Sequence, residues 1–107
     1  MSRQYSKPVT ATIETAGQEP VGVNVTTESS EVLAANTSRE VAIITNDSDA
    51  VMYFAFGQDA ILNGSPRLNA KGGVLVISRA GDIYTQEAVN LIHGGAGNKI
   101  VTVQELN

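Results

Sequence analysis

Residues 32–57 read VLAANTSREVAIITNDSDAVMYFAFG, the most apolar and β-branched stretch of the chain. Two strands are expected in it, Arg39–Thr45 and Val51–Phe56, folded back on each other through Asn46-Asp47-Ser48-Asp49, whose side chains favour a turn by bonding to nearby backbone. Val41 and Ile43 would face one side of the first strand and Ala42 and Ile44 the other. In the second, Val51, Tyr53 and Ala55 oppose Met52, Phe54 and Phe56. Both faces are therefore apolar, whereas a sheet in a two-layer sandwich needs an apolar inner face only. The second face requires a cover, supplied either by residues 58–72 or by another subunit, and the subunit is the expectation.

The flanking sequence adds strands to this pair. Residues 1–7 are polar and Pro8 closes them, giving an N-terminal arm (residues 1–8) ahead of a single β-domain over residues 9–107. Val9–Thr15 alternates strictly, Ala16–Pro20 reads as a turn, and Val21, Val23 and Val25 alternate with Gly22, Asn24 and Thr26, so a one-faced hairpin is expected there. A short strand at Val32–Ala34 precedes the central pair. Gly57–Gly73 is a long connection tacked down by Ala60-Ile61-Leu62. Val74–Ser78 is again apolar on both faces. Ile83–Ile92 fits either a strand over Ala88–Ile92, the favoured reading, or a helix capped by Asp82. A glycine turn at residues 93–98 then leads into a closing strand, Ile100–Glu105. The fold class expected is all-β, an antiparallel β-sandwich or jelly roll of about 7–8 strands.

Composition narrows the function classes. A chain of 107 residues with two Phe, three Tyr and no Trp must build its core from Val, Ile, Leu and Ala. Seven basic against eleven acidic residues, a net charge of −4, disfavours nucleic acid, whose phosphates require Lys and Arg to replace counterions. The absence of cysteine removes disulfides, thiolate ligands and a Cys nucleophile. The first ten residues lack the apolar run of a signal peptide, and no stretch approaches the ~18 apolar residues of a membrane span, so a soluble protein made in a cytoplasm is expected. Sequons at Asn24, Asn36, Asn46 and Asn63 are read as turn and strand chemistry.

The search for reactive chemistry finds little. His93 is the sole histidine, so paired His ligands for zinc cannot form, and no serine lies in a Gly-x-Ser-x-Gly elbow. It is expected in a turn or at the surface. Asp47-Ser48-Asp49, joined by Asp59, offers hard oxygen ligands but lacks the glycine and distant Glu of an EF-hand loop. Gly94–Lys99 lacks the Gly-Lys-Ser/Thr ending of a phosphate loop. No catalytic, cofactor or metal residue is assigned, and the chain is not expected to be an enzyme.

The chain resembles the small β-sandwich virion structural proteins of tailed bacteriophages, of the capsid decoration (cement) or head-fibre type. The residues that carry the resemblance are Leu33-Ala34-Ala35-Asn36-Thr37-Ser38-Arg39, then Ile43-Ile44-Thr45-Asn46-Asp47-Ser48-Asp49, then Tyr53-Phe54-Ala55-Phe56-Gly57. It continues through a Gly-Gly-capped strand at residues 72–77, an Ala88-Val89 strand and the closing Val101-Thr102-Val103-Gln104-Glu105. It implies a protein of the capsid surface, synthesised in the host cytoplasm, that binds the major capsid protein and forms a homo-oligomer, trimer or dimer, with neither nucleic acid nor membrane as partner. A partner interface is expected at Tyr5 and Pro8 of the arm and at Met52, Tyr53, Phe54 and Phe56. The alternative is a receptor- or glycan-binding module of a fibre or tail tip, with Tyr5, Tyr84 and the 58–72 loop lining the site. No functional residue carries over from the resemblance, since the shared pattern marks turns and core positions.

Overall fold

The computed structural model describes residues 15–107. Eight strands follow one another: β1 (Val21–Val25), β2 (Ser30–Leu33), β3 (Val41–Asn46), β4 (Met52–Phe56), β5 (Arg67–Leu68), β6 (Gly73–Ser78), β7 (Val89–His93) and β8 (Lys99–Leu106). They form two four-stranded sheets of order β1-β8-β3-β6 and β2-β7-β4-β5. Antiparallel pairs join β1 to β8, β2 to β7, β3 to β6 and β4 to β5. The chain is thus a long hairpin rolled over on itself, the jelly-roll connectivity, and the expected all-β sandwich is what forms.

The inner faces supply the core. Val25, Ala42, Ile44, Ile77, Val101 and Val103 of one sheet meet Val32, Leu33, Met52, Val89 and Leu91 of the other. In β2 a bulge between Glu31 and Leu33 breaks the alternation, which is how consecutive Val32 and Leu33 are both buried. The two-residue β5 escapes sequence reading because a pair of residues carries no periodicity, although Leu68 is almost wholly buried.

The central hairpin expected at residues 39–56 does not form. β3 lies between β8 and β6, and β4 lies between β7 and β5, so the chain crosses from one sheet to the other at residues 47–51. Asn46 makes that corner. Its fully buried side chain donates through Nδ2 to the carbonyls of Ala50 (2.9 Å) and Leu68 (3.3 Å), and its Oδ1 accepts from the Ser48 backbone N–H (3.1 Å) and hydroxyl (2.6 Å). The turn chemistry was legible. Its destination was not, because an Asx turn fixes the local backbone and leaves the choice of strand partner to the core.

Other boundaries moved for similar reasons. Most of the expected strand Val9–Thr15 lies outside the described residues. Ala16–Gln18 is not a turn but runs along the end of β8, with Ala16 and Asn107 exchanging backbone hydrogen bonds (2.8 and 2.9 Å) and Gln18 N–H donating to the Glu105 carbonyl (2.8 Å). Residues 83–92 resolve as a loop followed by β7, with no helix.

Arg39 ties the end of the sandwich where β8 finishes. It is fully buried, and four of its N–H groups donate: to Glu105 Oε2 (2.7 Å) and to the carbonyls of Ala34 (2.7 Å), Thr85 (3.0 Å) and Glu87 (2.9 Å). Asn36 assists, with Oδ1 accepting from Ser38 N–H (2.9 Å) and Nδ2 donating to Asn107 Oδ1 (3.0 Å). The Leu33–Arg39 segment of the resemblance is therefore an end-closing device.

Candidate functional site: a bare sheet face and a loop-end groove

The two outer faces of the sandwich differ. On the β2-β7-β4-β5 sheet, Tyr53 lies opposite Ile92 and Ala55 opposite Asn90. Residues 57–66 fold across this face. Asn90 Nδ2 donates to the Gln58 carbonyl (2.6 Å), Ala60 N–H to Ser29 Oγ (2.8 Å) and Tyr53 Oη to Asn63 Oδ1 (2.7 Å), while Ala60 of the loop and Ile92 of the sheet are buried. Of the two covers considered for an apolar second face, the chain's own loop takes this sheet.

The β1-β8-β3-β6 sheet has no such cover among the described residues. Its register places Ile43 beside Val76 and Gln104, Thr45 beside Val74 and Thr102, and Ile100 beside Asn24. Val74, Val76 and Ile100 are each at least half exposed and Ile43 is 37% exposed. Charge is absent from the strand residues that share this face, Gly22, Asn24, Val41, Ile43, Thr45, Val74, Val76, Ser78, Ile100, Thr102, Gln104 and Leu106. A shallow depression of about 150 Å3 lies on it, bounded by Pro20, Ile43, Thr45, Thr102 and Gln104. A solvated sheet face ordinarily carries Lys and Glu, and the lack of charge here sets this β-branched face apart from that pattern among the described residues.

The structure redistributes the expected interface residues. Tyr5 and Pro8 lie outside the described residues. Met52, expected at an interface, is fully buried inside its own subunit, opposite His93. Phe54 and Phe56 share its inward side and pack against the core, their ring centroids 5.4 Å apart. These three alternate toward the interior because β4 is a central strand of a sheet whose inner face is the core. Tyr53 alone of the four faces outward. The two-faced character of residues 39–56 and of β6 is legible in the sequence, but the exposure of Ile100 is not, because its neighbours Lys99 and Thr102 make β8 read as an ordinary half-wet strand.

A groove of about 540 Å3 opens at the end of the sandwich where β8 begins, lined by Asp49, Ala50, Val51, Tyr53, Leu62, Asn63, Gly94, Gly95, Ala96 and Lys99. Lys99 Nζ is 2.8 Å from Asp49 Oδ1. Its hydrogen bond and its charge hold the Asp49 carboxyl below the ordinary value of 3.8. The acidic turn read as a possible cation site thus gives one carboxylate to Lys99 and its Ser48 hydroxyl to Asn46. No group of three His, Asp or Glu residues arranged to hold a metal occurs among the described residues.

Beneath the groove lies His93, which is fully buried rather than exposed. Its Nδ1 accepts from Gly95 N–H (3.0 Å), which assigns the proton to Nε2, and Nε2 then donates to the carbonyls of Val25 (3.0 Å) and Gly97 (2.8 Å). His93 therefore shapes the glycine turn and ties it to β1. Tyr84 belongs elsewhere: its hydroxyl donates to the Arg39 carbonyl, at the other end of β8. The seven residue steps of β8 at ~3.3 Å each put roughly 23 Å between the two ends. Tyr84 thus stands at the opposite end from Leu62 and Asn63, while the 58–72 loop sets out from the Tyr84 end, where Gly57 N–H donates to the Ala88 carbonyl (2.7 Å).

Comparison with protein families, with curated proteins and with solved structures returned no match.

Proposed function

We propose that this protein is a bacteriophage virion structural protein, a capsid decoration protein that binds across major-capsid subunits and stabilises the head. The observation that carries the reading is the charge-free, half-exposed face of the β1-β8-β3-β6 sheet, Ile43, Val74, Val76 and Ile100 above all. A chain of net charge −4 repels other acidic surfaces except through a patch that bears no charge. The resemblance over residues 30–105 points the same way. In mechanism, a small domain that touches two shell subunits at once binds only the assembled lattice, and mass action then favours the closed shell.

Size bears on how the contact is made. Four strands at ~4.8 Å spacing and about five residues at ~3.3 Å give a plane footprint of roughly 300 Å2. That falls short of the ~800 Å2 per partner of a standard stable interface. The face therefore works together with further surface, for which the arm, residues 1–8, and association with other copies of the chain are the proposed sources. Co-sedimentation of the full chain with expanded capsids tests this: wild type pellets with the shells and Val76→Glu does not. A monodisperse monomer that stays in the supernatant, or a Val76→Glu variant that binds like wild type, overturns the proposal.

A further inference from the structure

We infer that the loop-end groove is a binding site for a short neutral saccharide. This inference is independent of the docking role of the opposite sheet face. The volume, about 540 Å3, lies within the ~300–1,000 Å3 of small-ligand sites. Its chemistry is mixed: Tyr53 and Leu62 are apolar walls, while Asp49, Asn63 and Lys99 bring a carboxylate, an amide and an ammonium to the same concavity.

The two charges of the groove balance. Lys99 Nζ is already neutralised by Asp49 Oδ1 at 2.8 Å, so the groove presents no net charge, yet Asp49 Oδ2 remains to accept and Lys99 retains N–H groups to donate. Asn63 Oδ1 accepts the Tyr53 hydroxyl at 2.7 Å, leaving Nδ2 as a donor without a protein partner among the described residues. Vicinal hydroxyls, each both donor and acceptor on an otherwise apolar ring, match alternating acceptors and donors beside an aromatic side chain. A hydrophobic ligand would leave those polar groups unpaired, and a free anion would have to displace Asp49 from Lys99.

Two turns frame the groove. Asn63, in the groove wall, holds a left-handed conformation, φ 59°, which Asn adopts more readily than most residues with a side chain. Gly94 lets Leu62 close over the turn, since a Cβ there would stand 3.1 Å from Leu62 Cδ1, whereas a Cβ on Gly95 would make ordinary contact with Ala50 Cβ at 3.5 Å. Gly95 is in turn fixed from below by its N–H bond to buried His93.

The test is a glycan microarray carrying neutral and acidic oligosaccharides, followed by 15N NMR titration of the full chain with the strongest hit. Neutral glycans are expected to bind, with amide shifts confined to Ala50, Asn63 and residues 94–96. Asn63→Gly, which keeps the left-handed backbone, and Asp49→Ala are each expected to weaken binding about tenfold, as loss of a built hydrogen-bonding partner does. Val76→Ser, on the distant sheet face, should leave affinity within about twofold. A silent array, binding of acidic glycans only, or neutral binding that survives both groove substitutions overturns the inference. None of these outcomes touches the capsid reading, which the co-sedimentation measures separately.

Discussion

At the scale of single residues, Arg39 and Asp49 show opposite uses of charge. Arg39 has no exposure, so its charge is tolerable only because Glu105 and three carbonyls share its donors. Replacing it with Met would leave the Glu105 carboxylate with Asn36 Nδ2 (3.3 Å) but no cation, and would take the Arg39 donors from the Ala34, Thr85 and Glu87 carbonyls. A loss of about 3–5 kcal/mol is expected, as for breaking a buried pair by removing one partner, and urea unfolding would measure it. Asp49 is exposed, and its pair with Lys99 shows in titration rather than stability. Because its folded pKa is lowered, any stability the pair adds is present above pH 3.8 and disappears as pH falls through the lowered value. Carboxyl NMR should find Asp49 titrating below 3.8, and Lys99→Met should move that titration back up.

At the scale of elements, the turns carry the specificity that the strands lack. Several strands share the same alternation of Val, Ile and Leu, whereas Asn46, Gly73 and Asn63 each answer one geometric demand. Gly73 opens β6, and a Cβ there would lie 2.2 Å from the Asn69 backbone oxygen, a contact that no side-chain rotation relieves. Gly73→Ala is expected to destabilise by about 1–3 kcal/mol, with the cost visible in the thermal midpoint. The loop over residues 57–66 is the other decisive element, since it turns the second sheet from a two-faced surface into a covered one. That outcome was open in the sequence because Ala60-Ile61-Leu62 announces an anchor without naming the face it lands on. Of the three, Ala60 alone is buried, while Ile61 and Leu62 remain exposed.

At the scale of the whole molecule, the sandwich has one face sealed by its own loop and one that the described residues leave uncovered, and this asymmetry is the physical argument for the proposed partner. Val74→Glu and Val76→Glu each place a charge on an exposed position, so folding stability should change by less than about 0.5 kcal/mol while capsid binding is lost. Equilibrium unfolding set beside co-sedimentation separates the two effects. A variant that unfolds would show the face to be structural instead. Neither substituted residue lines the groove where β8 begins, so the two surfaces can be tested separately.

The sequence by itself determined the class and most of the strands, because alternation and β-branched runs are local properties that any sandwich must satisfy. It also identified residues 39–56 as apolar on both sides. Which side meets the core, and which chain covers the other, depended on strand order. Once β3 and β4 part into different sheets at Asn46, Met52, Phe54 and Phe56 turn inward and the exposed stripe passes to Ile43, Val74, Val76 and Ile100. Only the tertiary structure could decide that, because strand pairing here joins residues such as Val21 and Val103, far apart in the chain, and no local pattern encodes such a partner.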